Sequence, residues 1–181
     1  AARALFERAS VAYADPEAAR YIWGTGFHWY GEDHFDHVQL VHDAWPDKQL
    51  LFTEGCQEGG PHLGAWALGE RYARNIINDL NRWTVGWIDW NLLLDEHGGP
   101  NHVGNFCSAP LLAVPAEDGL HAQSSYAAIG HVAHAGGRQA HQVEQFGHAG
   151  INVFRGRVMA AHALCNLPAH AHDGVGEVIG S

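Results

Sequence analysis

The chain has 181 residues, of which 46% are hydrophobic and 17% are charged, and its formal net charge is −10. This composition excludes a disordered chain, and no apolar run approaches the roughly 20 residues that a membrane-spanning helix needs. The negative charge argues against general binding to nucleic acid or anionic membranes, because both require a cationic surface. Three cysteines, Cys56, Cys107 and Cys165, are too few and too widely spaced for a disulfide scaffold or a CxxC metal site.

The apolar pattern alternates between helical and strand periodicity over the first half of the chain. In chain order it predicts a helix over 3–14, a helix start at Asp15-Pro16-Glu17, a strand over 21–29, a helix over 34–45, a strand over 49–53, a helix over 63–83 and a strand over 85–92. Strands separated by helices of this length form βα units with a parallel sheet. We therefore expect an α/β fold with about three such units.

Polar and aromatic residues follow each predicted strand at its carboxyl end, where parallel α/β folds collect functional groups. The first strand ends in His28-Trp29-Tyr30, the second in Glu54, and the third carries Asp89-Trp90 before a glycine-rich loop with Asn105 and Phe106. Aromatic rings stack on the apolar face of a sugar, while amides and acids bind its hydroxyls. A carboxylate can also trap an oxocarbenium-like centre, so this set predicts a sugar site.

Each of these residues also has a structural interpretation. An acid just after a strand, such as Glu54, is most often a solvated loop residue. Tryptophans such as Trp29 and Trp90 are more often buried in a core than used as ligand platforms. His28 and Asp89 could equally hold local structure. The convergence of all three strand ends is what favours a functional site.

The fifteen histidines raise the question of a metal site. The spacings His34-x-x-His37, His37-x₄-His42 and His170-x-His172-Asp173 match no ligand set such as HExxH. Gly24-x-Gly26 lacks the third glycine of a dinucleotide loop, and Cys56 has no evident base that would make it a nucleophile. We expect no metal and no cofactor.

Four segments together carry a family resemblance. They are residues 21–30 (YIWGTGFHWY), 50–56 (LLFTEGC), 85–92 (VGWIDWNL) and 96–106 (EHGGPNHVGNF). In order and spacing, residues 15–131 resemble the C-terminal part of the catalytic barrel of glycoside hydrolase family 30, which includes glucosylceramidases, β-glucosidases and β-1,6-glucanases. The resemblance implies the last three units of a (β/α)₈ barrel and a retaining mechanism on a β-glucoside substrate.

The resemblance also implies roles for individual residues. Glu54 falls at the family's nucleophile, at the end of the seventh barrel strand. The positions that correspond to substrate contacts or lie near the nucleophile are His28, Trp29, Tyr30, Trp90, Asn105 and Phe106. Asp89 resembles a supporting acid beside this cluster.

Two departures from the family pattern limit what this chain can do. The family carries its acid/base glutamate after an asparagine at the end of the fourth strand, and this chain contains no Asn-Glu pair. The chain also begins without Met or a signal-peptide pattern, so we expect it to be a fragment of a longer protein. The predicted function is thus a fragment of a retaining β-glucosidase or glucosylceramidase that is inactive alone. The alternatives are a β-1,6-glucanase or β-xylosidase of the family, an inactive carbohydrate-binding remnant, or a histidine-rich metal-binding protein.

The resemblance ends near residue 131. Residues 132–181 are rich in Ala, Gly and His and lack the alternating β-branched strands of the β-sandwich that follows the barrel in this family. We expect this tail to be either frameshifted or divergent and loosely packed. By resemblance alone, the protein is expected to be secreted, periplasmic or lysosomal.

Overall fold

A computed structural model of the chain describes residues 4–101, 103–143 and 157–158, with side chains as far as residue 135. The helices are α1 (Leu5–Tyr13), α2 (Pro16–Ala19), α3 (Phe35–Ala44), α4 (Trp66–Leu80) and α5 (Ser124–Val143). The strands are β1 (Gly24–His28), β2 (Gln49–Glu54), β3 (Gln57–Glu58), β4 (Thr84–Trp87), β5 (Leu93–Asp95), β6 (Cys107–Ser108), β7 (Leu111–Val114), β8 (Gly119–Ala122) and β9 (Arg157–Val158). None of the described helices is long and apolar enough to cross a membrane.

The main sheet is parallel and has the order β1-β2-β4-β9. Helices α3 and α4 connect its first three strands, which confirms the predicted βα units. Gly24 lies so close to β2 that an added Cβ atom would stand 2.2 Å from the Gln49 carbonyl oxygen. The first pair of strands therefore requires a residue without a side chain at its start.

The core lies between the main sheet and helices α1, α3 and α4. At its centre the Phe52 and Trp87 rings stack with centroids 4.4 Å apart, and neither side chain is exposed. Helix α4 faces this centre with Tyr72, Ile76 and Leu80, which recur at every fourth residue. Its buried face also includes Asn75 and Asp79, which complete the i, i+3, i+4 stripe of a helix.

Helix starts follow from local chemistry. The Asp15 carboxylate accepts hydrogen bonds from the backbone N–H groups of Glu17 and Ala18, at 2.9 and 3.4 Å, and Pro16 occupies the first helical position. This confirms the predicted helix start. Farther along, the Ser124 hydroxyl at the start of α5 accepts from the Gly69 N–H at 2.9 Å and donates to the Ala65 carbonyl at 2.8 Å. These bonds fix α5 against α4.

The region after the third strand differs from the prediction. The strand predicted over 85–92 is observed as Thr84–Trp87, and residues 93–122 contribute four short strands to two small sheets. In one, β3 pairs antiparallel with β6, and in the other β7 lies between β5 and β8. Strands of two to four residues are too short to show a periodicity, so the sequence pattern could not indicate them.

The predicted boundary at residue 131 falls inside α5, and β9 pairs with β4. The other residues of the predicted tail lie outside the described part of the chain. So do His170, His172 and Cys165.

Candidate active site

The carboxyl ends of β1 and β2 bring His28 and Glu54 side by side. The two strands run in parallel register as far as Phe27, where a register shift places His28 opposite Glu54. The His28 Nδ1 atom lies 3.8 Å from Glu54 Oε1, and the Glu54 side chain is 33% exposed. The carboxylate is thus held at the sheet edge yet remains open to a ligand.

Tyr30 is the principal hydrogen-bond partner of Glu54. Its hydroxyl donates to Glu54 Oε1 at 2.8 Å, and its ring stands perpendicular to that of His28 with centroids 5.7 Å apart. Burial, together with hydrogen bonds to Cys56 and Glu54, raises the pKa of Tyr30 well above its ordinary value. Tyr30 therefore keeps its proton at neutral pH and orients the Glu54 carboxylate as a donor.

Trp29 points into the core beneath these residues. Its ring is 5% exposed and makes edge contacts with Phe52, Tyr72 and Trp87. The indole N–H donates to the Cys56 carbonyl at 3.2 Å. Trp29 is thus a core residue that anchors the segment after Glu54, whereas the family resemblance implies a substrate contact at this position.

Asp89 lies just after β4 and is held by α4. The Tyr72 hydroxyl donates to Asp89 Oδ1 at 3.1 Å, while Oδ2 has no hydrogen-bond partner among the described residues. Burial raises the pKa of Asp89 to about 7, and the nearby Trp90 backbone N–H and the Tyr72 hydroxyl only partly oppose that shift. Asp89 is thus a buried acid that is held by a side chain of α4.

The Trp90 backbone is hydrogen-bonded at the same carboxyl end of the sheet. Its N–H donates to the Gly55 carbonyl at 3.0 Å, directly after Glu54, and its side chain is 43% exposed. The exposed indole thus follows a backbone that is bonded to the residue next to Glu54.

Asn105 and Phe106 lie on a separate loop. The Phe106 carbonyl accepts from the Gly59 and Gly60 N–H groups at 3.1 and 2.9 Å, and its ring is 45% exposed. The Asn105 N–H donates to Asn101 Oδ1 at 3.0 Å. Within the described residues no hydrogen bond or ring contact joins either side chain to Glu54. The structure thus brings the side chains of His28, Tyr30 and Glu54 together and bonds the Trp90 backbone to Gly55 beside them. The Asn105–Phe106 loop is connected to this region through the pairing of β3 with β6.

Two features of this region have no signal in the sequence. Tyr72 lies on the buried face of α4, yet its hydroxyl binds Asp89. Cys56 and Cys107 come into contact although they lie 51 residues apart, with the sulfur atoms at 2.9 Å. No local pattern signals a contact of that sequence separation.

One group at the start of α3 has the residue types of a metal site. His34, Asp36 and His37 offer ligand atoms that all lie within 4.8 Å of one another. His34 also lines a small cavity together with His28, the neighbour of Glu54.

The comparisons with known proteins agree on one family. The model of the glycosyl hydrolase family 30 TIM-barrel domain matches residues 2–135. The lysosomal acid glucosylceramidase of Mus musculus is 35% identical in an alignment of 132 positions that covers 68% of this chain and 25% of that protein. The chain spans about a quarter of the length of the curated relatives it matches.

Two solved structures are similar in fold and sequence. SrfJ from Salmonella typhimurium has a TM-score of 0.67 and 39% identity, covering 72% of this chain and 29% of that one. The endo-β1,6-glucanase BT3312 has a TM-score of 0.54 and 29% identity, covering 64% of this chain and 26% of that one.

Proposed function

Because the chain belongs to glycoside hydrolase family 30, we propose that it supplies the nucleophile half of a retaining β-glucosidase active site. On this proposal, β1, β2 and β4 are the last three strands of a (β/α)₈ barrel, and Glu54 attacks the anomeric carbon of a β-glucoside. The observation that carries the proposal is the Glu54 carboxylate, partly open at the sheet edge with the Tyr30 hydroxyl at 2.8 Å.

In such a mechanism Glu54 forms a bond to the anomeric carbon as the bond to the leaving-group oxygen breaks. The resulting glycosyl-enzyme intermediate is then hydrolysed by water. Tyr30 orients the attacking carboxylate, and Trp90 offers a face for the sugar ring. Asp89, held by Tyr72, supports the turn that carries Trp90.

The second carboxyl group is the missing part. Retaining enzymes need an acid/base residue about 5–5.5 Å from the nucleophile to protonate the departing oxygen. The family's Asn-Glu pair does not occur in this sequence. We therefore assign the acid/base residue to a barrel segment outside this chain, and expect the 181-residue chain to be inactive alone.

The substrate we favour is a β-glucoside such as glucosylceramide, since the mouse relative is named as a glucosylceramidase. An endo-β1,6-glucanase of similar fold supports a β-1,6-glucan as the second candidate. Relative turnover of an aryl β-glucoside and a β-1,6-linked glucose oligosaccharide separates the two.

The test uses a longer protein that contains all eight βα units of the barrel, with residues 15–131 of this chain as its C-terminal units. Glu54→Gln should lower kcat/KM for an aryl β-glucoside by at least about 10³-fold, because loss of the nucleophile removes several kcal/mol of barrier lowering. Glu58→Gln is the matched control, since Glu58 is an exposed carboxylate four residues farther along the chain.

A second readout identifies the bond. A 2-deoxy-2-fluoro-β-glucoside with a good leaving group should label the peptide that contains Glu54, and the Glu54→Gln protein should not be labelled. Activity within tenfold of the parent, or labelling at another carboxylate, would remove Glu54 from the nucleophile role.

A further inference from the structure

Two buried thiols are in contact close to the candidate nucleophile Glu54. Cys56 lies two residues after Glu54, and Cys107 opens β6 two residues after Asn105. Their sulfur atoms are 2.9 Å apart, and the residues are 3% and 0% exposed. Neither the candidate sugar site nor the proposed glycosidase mechanism uses this contact.

The backbone holds the two cysteines in place from both sides. Strands β3 and β6 pair with Gln57 opposite Ser108 and Glu58 opposite Cys107. The Gly59 and Gly60 N–H groups bind the Phe106 carbonyl just before Cys107. Trp29 donates to the Cys56 carbonyl on the other side. The thiols therefore meet through the fold, without dependence on flexible side chains.

From this geometry we propose that Cys56 and Cys107 form a disulfide when the protein meets a small disulfide oxidant such as oxidised glutathione. The sulfur atoms need to approach by less than 1 Å to reach the bond length of about 2.05 Å. The bond would join the segment after Glu54 to the Asn105–Phe106 loop. It is a modification site in its own right and does not depend on the proposed glycosidase activity.

The exchange reaction balances in two steps. The Cys56 thiolate attacks one sulfur of oxidised glutathione, so that a Cys56–glutathione bond forms and a glutathione thiolate leaves and is protonated. Cys107 then gives up its proton, and its sulfur displaces the second glutathione thiolate from Cys56. Two protein thiols are oxidised, and one glutathione disulfide is reduced to two thiols.

The order of the two steps follows from the surroundings of the thiols. Burial and the hydrogen bond to Cys56 raise the pKa of Cys107 to about 12, so Cys107 is a poor first nucleophile. Oxidant reaches Cys56 when the two-residue pairing of β3 and β6 opens, since so short a pair is held by few backbone hydrogen bonds.

The test maps disulfides in the 181-residue chain, which contains three cysteines. The chain is equilibrated with reduced and oxidised glutathione, quenched with acid, alkylated and digested without reduction. In 6 M guanidinium, loop-closure statistics allow any one pairing to reach only about half of the intramolecular disulfide. In native buffer, with helix content verified by circular dichroism, the Cys56–Cys107 peptide should make up more than about nine-tenths of the intramolecular disulfide.

Two variants sharpen the result. Cys165→Ser should still form the Cys56–Cys107 disulfide, and it should form more of this disulfide in native buffer than in guanidinium. Cys107→Ser should leave only glutathione adducts and Cys56–Cys165, with no gain over guanidinium. The same mapping in a complete barrel protein tests the pair in the assembled fold.

The proposal is overturned if native buffer and guanidinium give the same distribution of pairings in both proteins. It is also overturned if both cysteines carry glutathione while the Cys56–Cys107 peptide is absent.

Discussion

Asp79 offers a sharp test of how this core tolerates a buried acid. It lies on α4, is 2% exposed, and its Oδ2 atom has no hydrogen-bond partner among the described residues. Burial raises its pKa to about 7, with smaller opposing effects from the Trp87 indole and from Arg82. The perturbation is Asp79→Asn, which keeps the shape of the side chain and removes its titration.

The sign and size of the effect follow from proton linkage. The pKa of Asp79 is 3.8 in the unfolded chain and about 7 in the folded one, so the folded state binds more protons than the unfolded state in the pH range between these two values. Stability therefore falls as pH rises through this window, and it levels off above pH 7. The total loss is roughly 4 kcal/mol, of which roughly 2–3 kcal/mol falls between pH 5 and pH 8.

The amide introduced by Asp79→Asn stays neutral throughout, so this part of the pH dependence disappears in the variant. Its N–H₂ group costs about 1–3 kcal/mol if it stays unpaired, independently of pH. We therefore expect the variant to gain stability relative to the parent by roughly 2–3 kcal/mol between pH 5 and pH 8. At pH 8 it should be the more stable of the two.

Urea unfolding at pH 5, 6, 7 and 8, followed by circular dichroism and tryptophan fluorescence, measures this difference. Asp43→Asn is the control, because Asp43 is an exposed aspartate on α3. If the difference in unfolding free energy between the Asp79 variant and the parent does not change with pH, the carboxyl group is not titrating near pH 7 and the reasoning fails.

Three further predictions follow from the site and the sheet. The 181-residue chain alone should show no turnover of an aryl β-glucoside above buffer, since an acid/base group alone contributes about 10²–10⁴-fold; robust turnover by the purified chain would refute this. In a complete barrel, Tyr30→Phe should lower kcat by about tenfold or more at unchanged melting temperature, because Glu54 loses its donor at 2.8 Å, whereas unchanged kcat would exclude an orienting role. Gly24→Ala should lower the urea midpoint of the chain, since the new methyl group would meet the Gln49 carbonyl oxygen at 2.2 Å; an unchanged midpoint would mean that β1 can move away from β2 at no cost.

The parallel sheet and its helices could be predicted because each depends on nearby residues. A short apolar run such as 49–53 favours a buried strand, and Asp15 with Pro16 starts a helix by satisfying N–H groups within three residues. The small strands around residues 93–122 could not be predicted, because two to four residues carry no period. Their pairing depends on partners elsewhere in the chain.

The α/β class, the position of Glu54 at a strand end and the family could all be inferred from consecutive residues. The residues that surround Glu54 are set by tertiary packing. It turned Trp29 into the core and set the Tyr30 hydroxyl on the carboxylate. It also joined Cys56 to Cys107 across 51 residues. Those contacts depend on register and close packing between distant segments, and no local pattern encodes the distance between two side chains.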